Sequence, residues 1–480
     1  MGPVGTNDPL RGVTLHATTA VQGSCVSDLS ASSSSTETVT VIGGGLAGTE
    51  AAWQLAIRGV RVRLIEMRPE RMTPAHHSGD LSELVCSNSL KSADPATAAG
   101  LLKHELTALG SIVVETAYEA RVAAGSALAV DRGRFSGELT RKISAHPLIE
   151  VVREEAACLP DGRVIIATGP LTSQEFVPVL QDLVGDARLA FFDAAAPIID
   201  AETIDRSIVF AASRYDKGEG ADYLNAPMDR EEYDAFYDAL IEARRTTAKD
   251  FERRELFHAC QPAEEVARSG RDALRFGALK PVGLTDPRTG HRPWAVVQLR
   301  AENAAGTAYN LVGFQTNLTF GEQDRIFRMI PGLENADFLR HGVMHRNTFI
   351  DAPRLLDATL ALRSKPRVRF AGQITGTEGY VEAAASGLIT ALNTWAEMSG
   401  ETAVVLPPTT AFGSLLGYAT DPATRPYQPM HVNFGIIPPL PERVRGKRER
   451  YAAYAQRSRD DLAAWLSGRP DIAGSVIARG

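Results

Sequence analysis

The chain has 480 residues, is 44% hydrophobic and 23% charged, and carries a formal net charge of −7. This is ordinary globular composition with length for about three domains. The acidic balance excludes whole-chain electrostatics as the means of holding a polyanion, so a nucleic-acid partner has to be met by local patches. The four cysteines include no Cys-x-x-Cys pair, which argues against a disulfide framework and a thiolate zinc site and fits a reducing cytosol.

No apolar run approaches the roughly 18 residues that span a bilayer. Residues 1–37 lack a basic start followed by an apolar stretch and are Ser/Thr-rich from Ser30 to Thr38, so no secretory signal is expected and the segment reads as a disordered extension. Folded structure is expected from Thr38. Thr38–Ile42 is a short β-branched strand running into Gly43-Gly44-Gly45-Leu46-Ala47-Gly48. Thr49–Arg58 reads as a helix with Ala52, Leu55 and Ala56 on one face, Gly59 stops it, and Val60–Ile65 is a second strand ending in Glu66. Together these form a β-α-β unit, the minimal module of a parallel sheet. Further strands are expected at Ile149–Arg153 and Val164–Thr168.

From about Arg206 to Arg340 the character changes. Strands at Ser207–Ala212, Trp294–Leu299 and Tyr309–Phe314 alternate with amphipathic helices, one opened by a capping box, Asp229 with Glu232. A second helix, Glu322–Ile330, is stopped by Pro331-Gly332. Arg367–Ala371 then reads as a strand, Gly372–Gly379 as a Gly-rich turn and Tyr380–Met398 as a long helix. The expected architecture is α/β: a Rossmann-like dinucleotide-binding domain in two parts, 38–205 and 341–480 with a C-terminal helix, around an inserted α+β domain, 206–340.

Gly43-x-Gly45-x-x-Gly48 gains weight from its context, since it leaves a strand, opens a helix and is followed 18 residues after Gly48 by Glu66. Gly43 permits the tight turn, with Gly44 beside it; Gly45 lets backbone approach a pyrophosphate, and Gly48 allows close helix packing. Leu46 and Ala47 complete the loop as candidate cofactor contacts, and the N-terminal amides and dipole of the helix that follows favour phosphate. Glu66 is placed to accept ribose hydroxyls, favouring FAD or NAD over a 2′-phosphorylated nucleotide. Val164–Pro170, with Thr168 and Gly169, and Arg369–Gln373, with Gly372 and Gln373, resemble the later strand-turn signatures of FAD proteins with the glutathione-reductase type of fold. Gly379-Tyr380 then opens the helix that faces the flavin in such proteins, which decides for FAD. Gln373 stands where many relatives carry an acid.

Two thiols stand in donor-rich surroundings. Cys86 lies in a loop with Lys91, and Cys260 precedes Pro262 at an expected helix start; a nearby cation or a helix N-terminus favours thiolate. Cys25 and Cys158 have no such setting. His76-His77 lack further metal ligands at suitable spacing, so no metal site is expected and a contact to cofactor or phosphate is. Arg244, Arg245, Lys249, Arg253 and Arg254 form one basic cluster, and Arg443, Arg445, Lys447, Arg448 and Arg450 another; each is interleaved with acids and reads as a solvated face.

Several unusual strings resemble the bacterial folate- and FAD-dependent tRNA (uracil-5-)-methyltransferases: Thr73–His77, Glu83–Leu90, Gly277–Leu284, Tyr309–Thr316, Gly342–Thr348, Ala371–Tyr380 and Pro429–Gly435. The resemblance runs from about residue 38 to 441. It implies a cytoplasmic enzyme that takes a one-carbon unit from methylenetetrahydrofolate, uses NADPH or NADH to reduce FAD, and makes 5-methyluridine at nucleotide 54 of the tRNA T-loop. It also implies catalytic roles for Cys260, in attack on C6 of uracil, and for Cys86, beside the flavin, with the two roles exchangeable. Thr319-Phe320 stands where a Lys-Trp pair is common, and Ala226 where relatives often carry cysteine. An rRNA target, a small-molecule flavin oxidoreductase and a non-catalytic FAD-containing RNA-binding factor remain as alternative readings. Oligomeric state is left open.

Overall fold

Two six-stranded sheets organise the described residues. The structure is a computed structural model and describes residues 37–477 except 74, 186–187, 195, 217–220, 247–261, 304, 343 and 426. The first sheet runs Ala361–Leu362, Lys365–Phe370, Arg163–Ile166, Val39–Ile42, Val62–Glu66 and Ile149–Arg153. All neighbours are parallel except the Ala361–Leu362 edge, which pairs antiparallel with Lys365–Phe370. A parallel sheet is covered on both faces, so its strands read as unbroken apolar runs. Val39, Val41, Leu64 and Ile165 pack with helix Leu46–Ala56 on one side. Ile42, Val164, Ile166 and Phe370 join the larger core on the other, with Leu101 and Leu102 of helix Ala98–Ala108 and Leu388 of helix Tyr380–Ser399.

The two glycine-preceded helices lie against each other. A Cβ on Gly387 would stand 2.1 Å from the Ala47 carbonyl oxygen, so the absence of a side chain there sets the approach. Helix Leu46–Ala56 starts at its Gly45 N-cap, three residues before the expected Thr49, because the glycine loop itself takes the first helical turn: the Thr49 amide donates to the Gly45 carbonyl at 2.9 Å.

The second sheet is antiparallel throughout, in the order Phe210–Ala211, Tyr223–Met228, Ala295–Ala301, Ala308–Leu311, Ile198–Asp200 and Phe338–Arg340. Strands of such a sheet alternate an apolar and a polar face. Leu224, Ala226, Met228, Val297, Leu299 and Leu311 pack under Phe236 and Leu240 of helix Arg230–Glu242, together with Phe314 and Phe327. The opposite face carries Asn225, Gln298, Arg300 and Asn310. Asp229 and Glu232 make the capping box read from sequence. The strand expected at Ser207–Ala212 contracts to Phe210–Ala211, while Ile198–Asp200, on the N-terminal side of Arg206, joins this sheet. A two-stranded antiparallel ladder of Arg188–Ala194 with Met344–Ile350 flanks the segment that holds the second sheet. Helices Ala98–Ala108, Ile112–Glu119, Arg132–Ser144 and Ala411–Thr420 begin at Thr97, Ser111, Asp131 and Thr410, each of whose side chains accepts a backbone amide.

Candidate active site

The carboxyl ends of the parallel strands open into a cavity, the place where open α/β sheets take their ligands. Gly43, Gly45, Leu46, Ala47, Glu66, Thr168, Gly169, Gly372, Gln373, Gly379 and Tyr380 all line it, with Arg68 and His76. Gly44 and Gly48 shape the turn from behind. A Cβ on Gly48 would lie 1.8 Å from the Gly43 carbonyl oxygen, and Gly43 itself has φ +104° against Ala167. A Cβ on Gly45 would meet nothing within 4 Å, so that backbone is bare toward the cavity. Helix Leu46–Ala56 has neither a side-chain N-cap nor an acid in its first turn, leaving its N-terminus to meet a ligand's negative charge, whereas helix Tyr380–Ser399 carries Glu382 in its first turn.

Glu66 does more than face the cavity. Its Oε2 accepts the Gly44 amide at 2.7 Å, and its Oε1 accepts the amide and Nε of Arg68 at 3.0 and 2.8 Å. Burial pushes this carboxyl up, but Arg68 and the two amides outweigh it and hold the group below the usual range. Buried Arg68 reaches on to Glu83 at 3.2 Å, and Glu83 accepts the amides of His77 and Ser78. The Glu66–Arg68–Glu83 chain therefore ties the glycine turn to the loop that presents His76. Gln373 Nε2 donates to both oxygens of Glu378 at 2.5 Å, so a carboxylate stands directly behind the neutral side chain.

At the other end of the cavity the Tyr380 hydroxyl accepts the amides of Cys86 and Ser87 at 2.9 and 3.2 Å and lies 2.9 Å from the Cys86 Sγ. Burial above all, then the adjacent thiol, raises the Tyr380 phenol well above its ordinary value, so it stays an O–H. Cys86 is outside any disulfide. Arg132, Arg300 and Arg340 all lie close enough to feel its charge. Arg132 bonds Glu302 and the Leu84 carbonyl. Arg300 donates to Asn88 Oδ1 and Ser87 Oγ, both at 2.7 Å, and so joins the second sheet to the thiol loop.

Residues 38–402 match the family described as glucose inhibited division protein A. The methylenetetrahydrofolate--tRNA-(uracil-5-)-methyltransferase TrmFO of Geobacter sulfurreducens is 55% identical over 433 residues, covering 90% of this chain and 99% of that protein. The TrmFO of Moorella thermoacetica is 54% identical, covering 89% of this chain and 98% of its own length. The chain belongs to the TrmFO family. The form I crystal structure of Aquifex aeolicus GidA shares its fold, with a TM-score of 0.63 at 16% identity over 88% of this chain and 76% of that one; the form II structure scores 0.61 at 17% identity.

Within this TrmFO-family chain the structure relocates several expectations. Cys260 lies outside the described residues, as do Lys249, Arg253 and Arg254. The helix after it is Ala263–Arg268, with Pro262 at the N-cap and two acids, Glu264 and Glu265, in its first turn. Those acids already occupy the end where positive potential would act. Lys91, expected to act on Cys86, instead bonds Glu382 at 2.8 Å, its backbone turned by φ 64°; the three arginines take its place. They escaped sequence reading because Arg300 and Arg340 come from another sheet. Arg244 and Arg245 pair with Glu322 and Glu265. Arg443, Arg445, Lys447, Arg448 and Arg450 are exposed. Ala226 is fully buried in the second sheet's apolar face. Among the described residues, no helix is long and apolar enough to cross a membrane.

Proposed function

We propose that this chain is a tRNA (uracil-5-)-methyltransferase that takes its one-carbon unit from methylenetetrahydrofolate and its electrons from NADPH or NADH through FAD. Its product is 5-methyluridine at nucleotide 54 of the T-loop, and it works in the cytoplasm. The observation that carries this reading is the Cys86 thiol resting on the hydroxyl of Tyr380, the residue that opens the helix at the end of the glycine-lined cavity. Plain hydride transfer needs no thiol at that place, and the methyltransferase reading gives it a role beside the flavin.

The residues present fit FAD. Gly43, Gly45, Leu46 and Ala47 would hold the pyrophosphate, with Gly44 and Gly48 setting the turn. Glu66 keeps lone pairs for ribose hydroxyls beyond its bonds to Gly44 and Arg68. Thr168, Gly169, Gly372, Gln373, Gly379 and Tyr380 would enclose the flavin end. Bound there, FAD supplies the electrons that turn a transferred methylene into a methyl. Uracil C5 is a poor nucleophile until a thiolate adds at C6 and builds carbanion character at C5. Cys260 is assigned that attack and Cys86 the position beside the flavin. The exchanged assignment is favoured by one observation: Arg132 and Arg300 bond the Leu84 carbonyl and the Ser87 hydroxyl, bringing two guanidinium groups to the segment that holds Cys86, and a nearby cation favours thiolate. The division of labour follows the sheets, the first carrying the cofactor and the inserted second one closing over the thiol loop.

Separate Cys260→Ala and Cys86→Ala variants test the assignment by single-turnover transfer of label from methylenetetrahydrofolate to tRNA. The variant lacking the attacking thiol is expected to keep its yellow FAD and lose transfer by at least about 100-fold. Undiminished transfer in Cys260→Ala removes it from the nucleophile's role.

A further inference from the structure

The polar face of the second sheet carries an unclaimed row of donors beside Cys86. Arg300 is the cross-strand partner of Asn310, Asn310 of Ile198, and Ile198 of Arg340. Directly paired residues project to one face of a sheet. Phe338 pairs with Ile199 and packs in the apolar core, and the register shift between Phe338 and Arg340 re-aims Arg340 to the other side. There it lies near Arg132, Glu302, Tyr380 and Cys86.

The row is not internally satisfied. Asn310 Nδ2 and the Nε and Nη2 of Arg340 are buried without a hydrogen-bond partner. All three are donors, and a buried donor left unpaired is destabilising. The charges are unbalanced as well. Arg132 is paired with Glu302, but Arg300 spends its bonds on the neutral Asn88 and Ser87. Burial first, and Arg132 among the further causes, pushes the pKa of both Arg300 and Arg340 down. A ligand that brings acceptor oxygens and negative charge corrects both deficits at once.

We propose that Arg300, Asn310 and Arg340 form an oxyanion-binding subsite that anchors a substrate beside Cys86. A phosphodiester of the tRNA flanking the target uridine and a glutamyl carboxylate of the folate share this chemistry. The inference rests on the methyltransferase reading and names the groups by which that site holds its substrate.

The test uses FAD-loaded protein and the variants Arg340→Gln and Asn310→Asp, checked for unchanged flavin spectrum and melting temperature. Dissociation constants are measured for an unmodified tRNA transcript, for tetrahydrofolate, and for 6-methyltetrahydropterin, which lacks the carboxylates. A roughly 10- to 100-fold loss confined to tRNA, with a shallower salt dependence, assigns the subsite to phosphate. The same loss for tetrahydrofolate but not for the pterin assigns it to the folate tail. Unchanged binding of both tRNA and tetrahydrofolate in both variants overturns the subsite. If wild-type protein binds neither, the methyltransferase reading itself fails.

Discussion

At the residue scale, two glycines of one turn do different work, and substitution separates them. The Cβ of Gly48→Ala would fall 1.8 Å from a backbone oxygen that has no room to move, whereas that of Gly45→Ala enters open space in the cavity. Gly48→Ala is expected to destabilise the fold by about 3 kcal/mol or to prevent FAD loading altogether. Gly45→Ala is expected to leave the melting temperature of the FAD-free protein within a few degrees of wild type while weakening FAD binding about tenfold or more. Thermal melts of FAD-free protein and flavin titration check both. This part of the site was legible because glycine spacing records backbone sterics directly. The thiol's surroundings were not. Lys91 is near Cys86 in sequence yet turns to Glu382, while Arg300, which reaches the adjacent Ser87 and Asn88, is separated from Asn88 by 212 positions. A cation that arrives from another sheet leaves no local signature.

At the scale of elements, buried carboxylates cap helices that belong to different parts of the chain. Glu50 accepts Ser111 Oγ and the amides of Ile112 and Val113, fastening helix Ile112–Glu119 to helix Leu46–Ala56. Glu105 accepts the amides of Ala411 and Phe412 and the hydroxyl of Ser458, joining helices Ala98–Ala108, Ala411–Thr420 and Lys447–Ser467. Burial outweighs these bonds and raises the Glu105 carboxyl from 4.5 to about 7. With its folded pKa above its unfolded one, Glu105 contributes stability that is full below about pH 4.5 and is lost as pH rises through about 7. The shift is worth roughly 3 kcal/mol. The gap in melting temperature between wild type and Glu105→Ala is therefore expected to narrow between pH 5 and pH 8 (melts in matched buffers), and a constant gap would show that the carboxyl titrates normally. The helix starts at Thr97, Ser111, Asp131 and Thr410 are capped by their own side chains, a local pattern like the capping box read at Asp229. The carboxylates that join them from afar had no such marker, because capping in trans depends on tertiary packing.

At the scale of the whole molecule, a parallel sheet whose glycine turn leads into an uncapped helix lines the cavity, and an antiparallel sheet turns its polar face toward the thiol loop beside it. The β-α-β unit, the Gly-rich turn before Tyr380 and the capping box at Asp229 could be read in advance because each is a local pattern. The pairing of Ile198–Asp200 with Ala308–Leu311 and Phe338–Arg340 could not, since three residues carry too little periodicity to announce a strand. The antiparallel sheet meets the thiol loop and the Arg121–Val130 segment through polar contacts: Asn88 Nδ2 donates to the Ala301 carbonyl at 2.7 Å, and the Tyr223 hydroxyl to that of Ala124 at 3.0 Å. The most direct test incubates the FAD-loaded protein with an unmodified tRNA transcript, NADPH and methylenetetrahydrofolate labelled in its one-carbon unit, then maps the labelled nucleoside. Label in 5-methyluridine at T-loop nucleotide 54 is the expected result. A yellow, NADPH-oxidising protein that leaves the tRNA unlabelled would contradict the assignment and turn attention to rRNA, tested in the same way.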